Sequence, residues 1–275
     1  MSENDGSNYA LLDHPQVTTV LFHPRPEPTG TPRRPSAHGR AEDMLIAVGG
    51  RVDVGARFHL SATEKAPNIL FFHGNGEIVA DYDDIGALYN QLGINFLAVD
   101  YRGYGRSGGT PTVTAMMRDC HRILDFADCM LQERKLVGPI IVMGRSLGSA
   151  PAIELASAHP NRLDGLIVES GFAAAAPLLR LLGVDPDRLG FDEDTGFRNV
   201  QKIAHIQQPT LIIHAERDHI IPFADGVTLY EACAAAQKTF LKIPDADHNT
   251  IFFAALREYL EAVKRFTEQV AGSRH

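Results

Sequence analysis

Ile140-Ile141-Val142-Met143-Gly144-Arg145-Ser146-Leu147-Gly148-Ser149-Ala150 is the stretch from which the fold can be read. Its four leading apolar residues suit a buried strand, and Gly144 to Gly148 fits Gly-x-Ser-x-Gly. The following Leu-Gly-Ser-Ala-Pro-Ala-Ile-Glu-Leu-Ala can open directly into a helix. Strand, turn and helix in that order mark a nucleophile elbow, a sharp turn that holds a serine hydroxyl above a sheet. Glycines flank the serine because neighbouring chain segments pass too close for a Cβ. Ser146 is therefore the candidate nucleophile.

A second match, Gly105-Arg106-Ser107-Gly108-Gly109, shows why the motif alone decides nothing. Ser107 is followed by Gly-Gly-Thr-Pro, which reads as a loop and cannot open a helix. Context selects Ser146 over Ser107.

Outward from the elbow, apolar runs alternate with helical stretches. Strands are expected at residues 68–72, 94–99, 140–143, 166–168, 210–213 and 239–243, most of them continuously apolar, as parallel strands buried on both faces require. Helices are expected around 78–92, 113–136, 147–158, 223–236 and 250–270. Upstream, 17–22 reads as a short first strand, and 44–48 with 51–60 as a hairpin turning at Gly49-Gly50. The implied fold class is α/β, a mostly parallel, doubly wound sheet of eight strands with an antiparallel start. Residues 1–16 read as an N-terminal tail and 17–275 as one domain. Pro24, Pro26, Pro28, Pro32 and Pro35 mark an extended loop, whose Arg25, Arg33, Arg34 and Arg40 read as solvated. Residues 170–208 break the alternation and read as a small helical cap, since a loop this long is usually functional.

Composition excludes several classes. A net charge of −8 across 275 residues, with no basic stripe, argues against nucleic-acid binding. Cys120, Cys129 and Cys233 are odd in number and lack metal-type spacing, so packed, reduced thiols are expected rather than a disulfide framework. No secretory signal and no membrane-length apolar run is visible, which points to the cytoplasm. Dispersed histidines give no metal site, and no cofactor motif appears. Oligomeric state is not encoded in any recognisable pattern.

A serine nucleophile needs a base, and the base needs a partner that fixes its tautomer. In an elbow-bearing sheet the chain order is Ser, then Asp or Glu, then His. Asp218 follows the predicted strand at 210–213, and His248 follows the one at 239–243. Both lie beyond strand carboxyl ends, where open α/β sheets place their sites. His214, His219, Glu216, Asp245 and Asp247 are the nearby competitors. For the oxyanion hole, the main-chain N–H groups of Leu147, after the nucleophile, and of Asn75, in His73-Gly74-Asn75-Gly76, are the natural donors.

With these residues in place, the chain from about residue 17 onward resembles the α/β-hydrolase superfamily, and within it the serine aminopeptidase-type and depalmitoylase-type branch. The resemblance is carried by His73-Gly-Asn-Gly, Asp100-Tyr-Arg-Gly-Tyr-Gly-Arg-Ser107, Gly144-Arg-Ser-Leu-Gly148, Leu211-Ile-Ile-His, Asp218, Pro222 and Asp247-His248-Asn249. It implies a catalytic triad of Ser146, Asp218 and His248. It departs from many relatives in His214-Ala215, where they carry His-Gly, and in Asp-Ala-Asp-His, where they carry a glycine-rich run. The N-terminal anchor or lipidated cysteine cluster of some relatives is not visible, so no stable membrane anchor is expected. The leading reading is a cofactor-free serine hydrolase that cleaves a small-molecule carboxylic ester or related acyl bond. Two others stand beside it. One is an aminopeptidase or amidase, in which Asp192-Glu193-Asp194 attracts a substrate amine. The other is a ligand-binding protein that keeps the triad without turnover.

Overall fold

Continuous apolar runs become buried strands, and their side chains divide between two cores on opposite faces of one sheet. The computed structural model describes residues 9–28 and 40–273. Its strands are β1 (Arg40–Gly49), β2 (Val52–Leu60), β3 (Asn68–Phe72), β4 (Asn95–Val99), β5 (Ile140–Arg145), β6 (Gly165–Glu169), β7 (Thr210–Ala215) and β8 (Lys238–Ile243). They form one sheet in the order β1-β2-β4-β3-β5-β6-β7-β8. β1, β2 and β4 pair antiparallel, and all later pairs are parallel. The predicted eight-stranded α/β sheet is present. β3, β4, β6 and β7 are buried along their whole length. β8, at the sheet edge, is half-buried or exposed except at Ile243, and carries Lys238 and Lys242, where charge discourages further pairing.

The helices are α1 (Pro15–Leu21), α2 (Asp83–Gln91), α3 (Val113–Glu133), α4 (Ser149–Ala158), α5 (Ala175–Leu181), α6 (Asn199–Ile203), α7 (Phe223–Ala232), α8 (Ile251–Ala254) and α9 (Leu256–Gly272). Among the described residues none is long and apolar enough to cross a membrane. The expected strand at 17–22 is instead α1. Pro15 sits in its first turn, the His14 ring accepts from the Gln16 N–H, and Val17 and Leu21, four apart, share the buried face. Its Val-Thr-Thr-Val run has strand composition, but docking one helical face outweighs that preference. The hairpin turns at Gly50-Arg51, one residue later than expected, because Gly49 pairs with Val52 across a register shift. Both turn residues have positive φ (64° and 59°), as a primed two-residue turn requires. The expected helix at 250–270 breaks at Ala255 into α8 and α9. Cys120 is buried as expected and Cys233 is buried too, whereas Cys129, expected to pack, is exposed. Arg33 and Arg34 of the proline-rich loop lie outside the described residues.

The order in which strands are added reverses at β3, which has β4 on one side and β5 on the other, both parallel to it. That switch point opens a crevice at the strand carboxyl ends. There Ser146 takes a left-handed φ of 52° between the end of β5 and a helical turn over Ser146–Gly148. A Cβ on Gly148 would lie 2.1 Å from the Phe72 carbonyl oxygen, and one on Gly144 would lie 2.0 Å from that of Gly148. Both are backbone atoms that cannot swing aside, so both glycines are obligatory.

A buried charge cluster ties the loops around this crevice. The Arg145 guanidinium donates to Glu77 Oε1 (2.8 Å), Glu169 Oε1 (2.7 Å) and the His248 carbonyl (2.9 Å). Glu77 Oε2 accepts from the Gly74 N–H and the Tyr82 hydroxyl, each at 2.6 Å, and Tyr259 donates to Glu169. Burial alone would raise the Glu77 pKa, but the Arg145 charge, the Tyr82 hydroxyl and the Arg145 hydrogen bond together hold it at about 2.

Two measurements follow from these constraints. Gly148→Ala should cost about 3 kcal/mol, the upper range for forced overpacking, read as the shift in urea midpoint; an unchanged midpoint would refute the steric account. A carboxyl whose folded pKa lies below its unfolded value stabilises fully above the unfolded pKa and loses that contribution as pH falls towards the folded one. For Glu77 the window runs from about 4.5 to about 2 and is worth on the order of 3 kcal/mol. Urea unfolding across that window should fall less steeply with acid in Glu77→Gln than in the parent.

Candidate active site

Each of the three side chains of the candidate triad comes from a different loop at the carboxyl edge of the sheet. Ser146 follows β5, Asp218 follows β7 and His248 follows β8. The structure brings all three together. His248 Nε2 lies 3.0 Å from Ser146 Oγ, and His248 Nδ1 lies 2.7 Å from Asp218 Oδ2. Ser146 and His248 are almost fully buried, at 8% and 4% exposure. The other Asp218 oxygen accepts from the N–H groups of Ile220 (3.0 Å) and Ile221 (2.8 Å). Burial pushes the Asp218 pKa up. The hydrogen bond and charge of His248 and the two backbone donors outweigh it and hold the carboxyl below its ordinary value. An ionised Asp218 on Nδ1 keeps the proton there and leaves Nε2 as an acceptor facing the serine hydroxyl.

Apart from His219, which is exposed, the competitors are occupied elsewhere. Glu216 is exposed and pairs with Lys242 at 2.6 Å, and Asp245 pairs with Arg217. Asp247 accepts from the N–H groups of Asn249 and Thr250, both at 2.9 Å, and so shapes the turn that carries His248. His214 is buried with its Nε2 on the Ile221 carbonyl at 3.0 Å, and burial lowers its pKa. It props the Asp218 loop rather than facing the serine. Ser107 accepts from the Gly55 N–H of β2 at 2.8 Å, a structural role.

Asn75 and Leu147 line one cavity with Ser146 and His248. The Leu147 N–H belongs to the first turn at the head of α4, where N–H groups lack an intrahelical acceptor. Asn75 is fixed by its side chain. Its Oδ1 accepts from the His23 N–H (2.7 Å) and the Tyr104 hydroxyl (3.0 Å), while its Nδ2 donates to the Val20 carbonyl (3.3 Å). Tyr101 donates to the His73 carbonyl at 2.6 Å, and Arg25 Nε to the Gly76 carbonyl at 2.7 Å. Arg25, expected in a solvated loop, is thus a strut on this turn. Tyr101, Tyr104, Arg25 and Arg145 were not singled out as functional from the sequence. Position beside Asp100 and inside the elbow was the available signal, but their partners lie far along the chain.

The cavity holds about 240 Å³. Val20 and Leu21 of α1, Leu178 and Leu182 of and just after α5, and Ile220 and Ile221 of the Asp218 loop form its apolar walls. In the expected cap, α5 overhangs the serine, while α6 packs between α4 and α7. The acidic run serves the overhang itself. Glu193 accepts from the N–H groups of Ala175 (2.7 Å) and Ala176 (2.8 Å) at the head of α5, and Asp192 caps its own turn on the Asp194 N–H. No cluster of three or more metal-ligating side chains occurs among the described residues.

Comparison with known proteins agrees with this architecture. A family model described as serine aminopeptidase, S33, matches residues 63–184. Human alpha/beta hydrolase domain-containing protein 17B is 30% identical over 241 residues, covering 84% of this chain and 77% of that protein. The mouse 17C protein is 32% identical over 220 residues, covering 78% of this chain and 63% of its own length, just under two thirds. Among solved structures, a Pyrococcus furiosus esterase superposes with a TM-score of 0.70 at 18% identity, covering 89% of this chain and 99% of the esterase. The chain belongs to the α/β-hydrolase superfamily, in the branch of the alpha/beta hydrolase domain-containing 17 proteins, and is a serine hydrolase.

Proposed function

We propose that the chain hydrolyses a small-molecule carboxylic ester, or a related acyl bond, through an acyl-enzyme on Ser146. The observation that carries this reading is the Ser146–His248–Asp218 hydrogen-bonded relay opening into an apolar 240 Å³ cavity. In the proposed mechanism His248 Nε2 takes the serine proton as Oγ attacks the carbonyl, and then gives it to the leaving group. Asp218 orients His248 and stabilises the imidazolium. The N–H groups of Asn75 and Leu147 receive the oxyanion, each worth roughly 3–4 kcal/mol in the transition state. Water then attacks the acyl-enzyme by the reverse proton path. The residues present require no cofactor for these steps, and the proposed setting is the cytoplasm.

The acyl chain is assigned to the wall formed by Val20, Leu21, Leu178, Leu182 and Ile220, because apolar surface there is otherwise left facing water. The esterase character of the Pyrococcus furiosus structure is consistent with this reading. The amidase alternative loses its specific support, since Glu193 and Asp192 are engaged at the ends of helical turns. Matched ester and aminoacyl-amide substrates separate the two by kcat/KM.

A fluorophosphonate probe should label Ser146, located by peptide mass spectrometry. Ser146→Ala should lower kcat on the order of 10⁶-fold and Asp218→Asn about 10⁴-fold if the triad behaves as in other serine hydrolases. Substantial turnover by pure Ser146→Ala would remove the assignment. Leu178→Trp should shift the kcat/KM ratio from octanoyl towards butyryl esters by about tenfold or more; an unchanged ratio would place the acyl chain elsewhere.

A further inference from the structure

Arg145 occupies the variable position of the elbow, immediately before the nucleophile, yet its side chain points away from the substrate cavity. It is absent from that cavity's lining and faces a separate one of about 160 Å³, among Phe71, Tyr89, Met143 and Phe252. Its three hydrogen bonds have one topological consequence. Glu77 grips the Gly74 N–H beside Asn75, Arg145 grips Glu77, and Arg145 also grips the main-chain carbonyl of His248. The turn carrying Asn75 and the turn carrying the base are 173 residues apart in sequence by number (75 and 248), and one guanidinium joins them. Glu169, at the end of β6, supplies the second carboxylate that neutralises the buried cation.

We infer that Arg145 is a positioning residue, which sets the distance between the oxyanion turn and the His248 turn and thereby aligns the base with Ser146. This rests on the triad reading above. The guanidinium suits the task because it is planar, always charged and presents donors in fixed directions to several acceptors. Lysine is a point charge on a flexible stem. It can satisfy one carboxylate but cannot hold the same three acceptors in one plane. The chemistry is sensitive to that geometry, since a misplacement of about 1 Å can cost about 100-fold. Substrate binding should be less sensitive to Arg145→Lys, because Arg145 itself does not line the substrate cavity although Glu77 does.

The test is a double-mutant cycle with Arg145→Lys, Glu77→Gln and the pair, measured on a butyryl ester with thermal unfolding recorded alongside. Folded Arg145→Lys should lose about 100-fold in kcat while KM stays within about twofold. Its fluorophosphonate labelling should slow in parallel. The pair should be no slower than the slower single variant, because both break one strut and coupled sites do not add. A lowered melting temperature with kcat within about threefold of the parent would reduce Arg145 to a structural role and overturn the proposal. Losses that multiply in the pair would overturn it equally. If Arg145→Lys does not fold, Glu77→Gln breaks the same strut from the other end, and an unchanged kcat there refutes the coupling. A parent protein without turnover or labelling would refute the triad reading itself, an outcome separate from a full-rate Arg145→Lys.

Discussion

Ser146 sits in a left-handed backbone conformation that an L-serine adopts only under compulsion, and the surrounding structure exists to impose it. The compulsion is steric and local. β5 arrives between β3 and β6, the chain must reverse into α4, and Gly144 and Gly148 leave room for the carbonyls that cross the turn. What this secures is a hydroxyl held clear of the sheet at the positive end of a ten-residue helix, beside the switch point of strand order. Strain of this kind costs of order 1–3 kcal/mol and persists only where packing over-determines it. Here the packing is the β3–β5–β6 centre of the sheet, buried from Ile141 through Arg145 on β5.

Around that fixed point, the site is assembled from loops that have little structure of their own. Main-chain groups are held by side chains from remote segments. Asn75 is held by His23 and Tyr104, His73 by Tyr101, Gly74 by Glu77, and His248 by Arg145. Two of these clamps come from the Asp100-Tyr101-Arg102-Gly103-Tyr104 loop, whose own Gly-x-Ser-x-Gly match is structural. The buried Arg145 cluster carries a desolvation cost that well-placed partners must offset, and removal of one partner would leave a buried charge exposed to the apolar interior. Beside the nucleophile, the cluster also joins the Gly74 turn to the His248 turn.

The cavity has a comparable origin. α5 hangs over the serine because Glu193 neutralises the N–H groups at its head, and because Phe172 and Phe197 pack edge to face at 5.2 Å beneath the segment. The opposite wall is α1, which the sequence suggests as a strand. That wall lies before β1 in the chain and closes the site through Val20 and Leu21. The cavity walls thus come from two segments outside the regular alternation, while the polar residues of the candidate site come from its strand ends.

The sequence by itself determined the sheet and the elbow, and it singled out Ser146, Asp218 and His248 as the candidates that the fold then brings within hydrogen-bond distance. Buried strands must be continuously apolar, a strained turn must be glycine-flanked, and chain order restricts which acid and which base can follow. The first two are local rules that leave their mark within a dozen residues, and the third needs only the order of motifs along the chain. Only the tertiary structure decided that 17–22 is a helix rather than a strand, that Cys129 faces solvent, that the acidic run caps α5, and that Arg145, Tyr101, Tyr104 and Arg25 brace the site. For Arg145, Tyr101, Tyr104 and Arg25 the deciding partner lies tens of residues away along the chain, and no local pattern records a contact that forms only when the two segments are brought together.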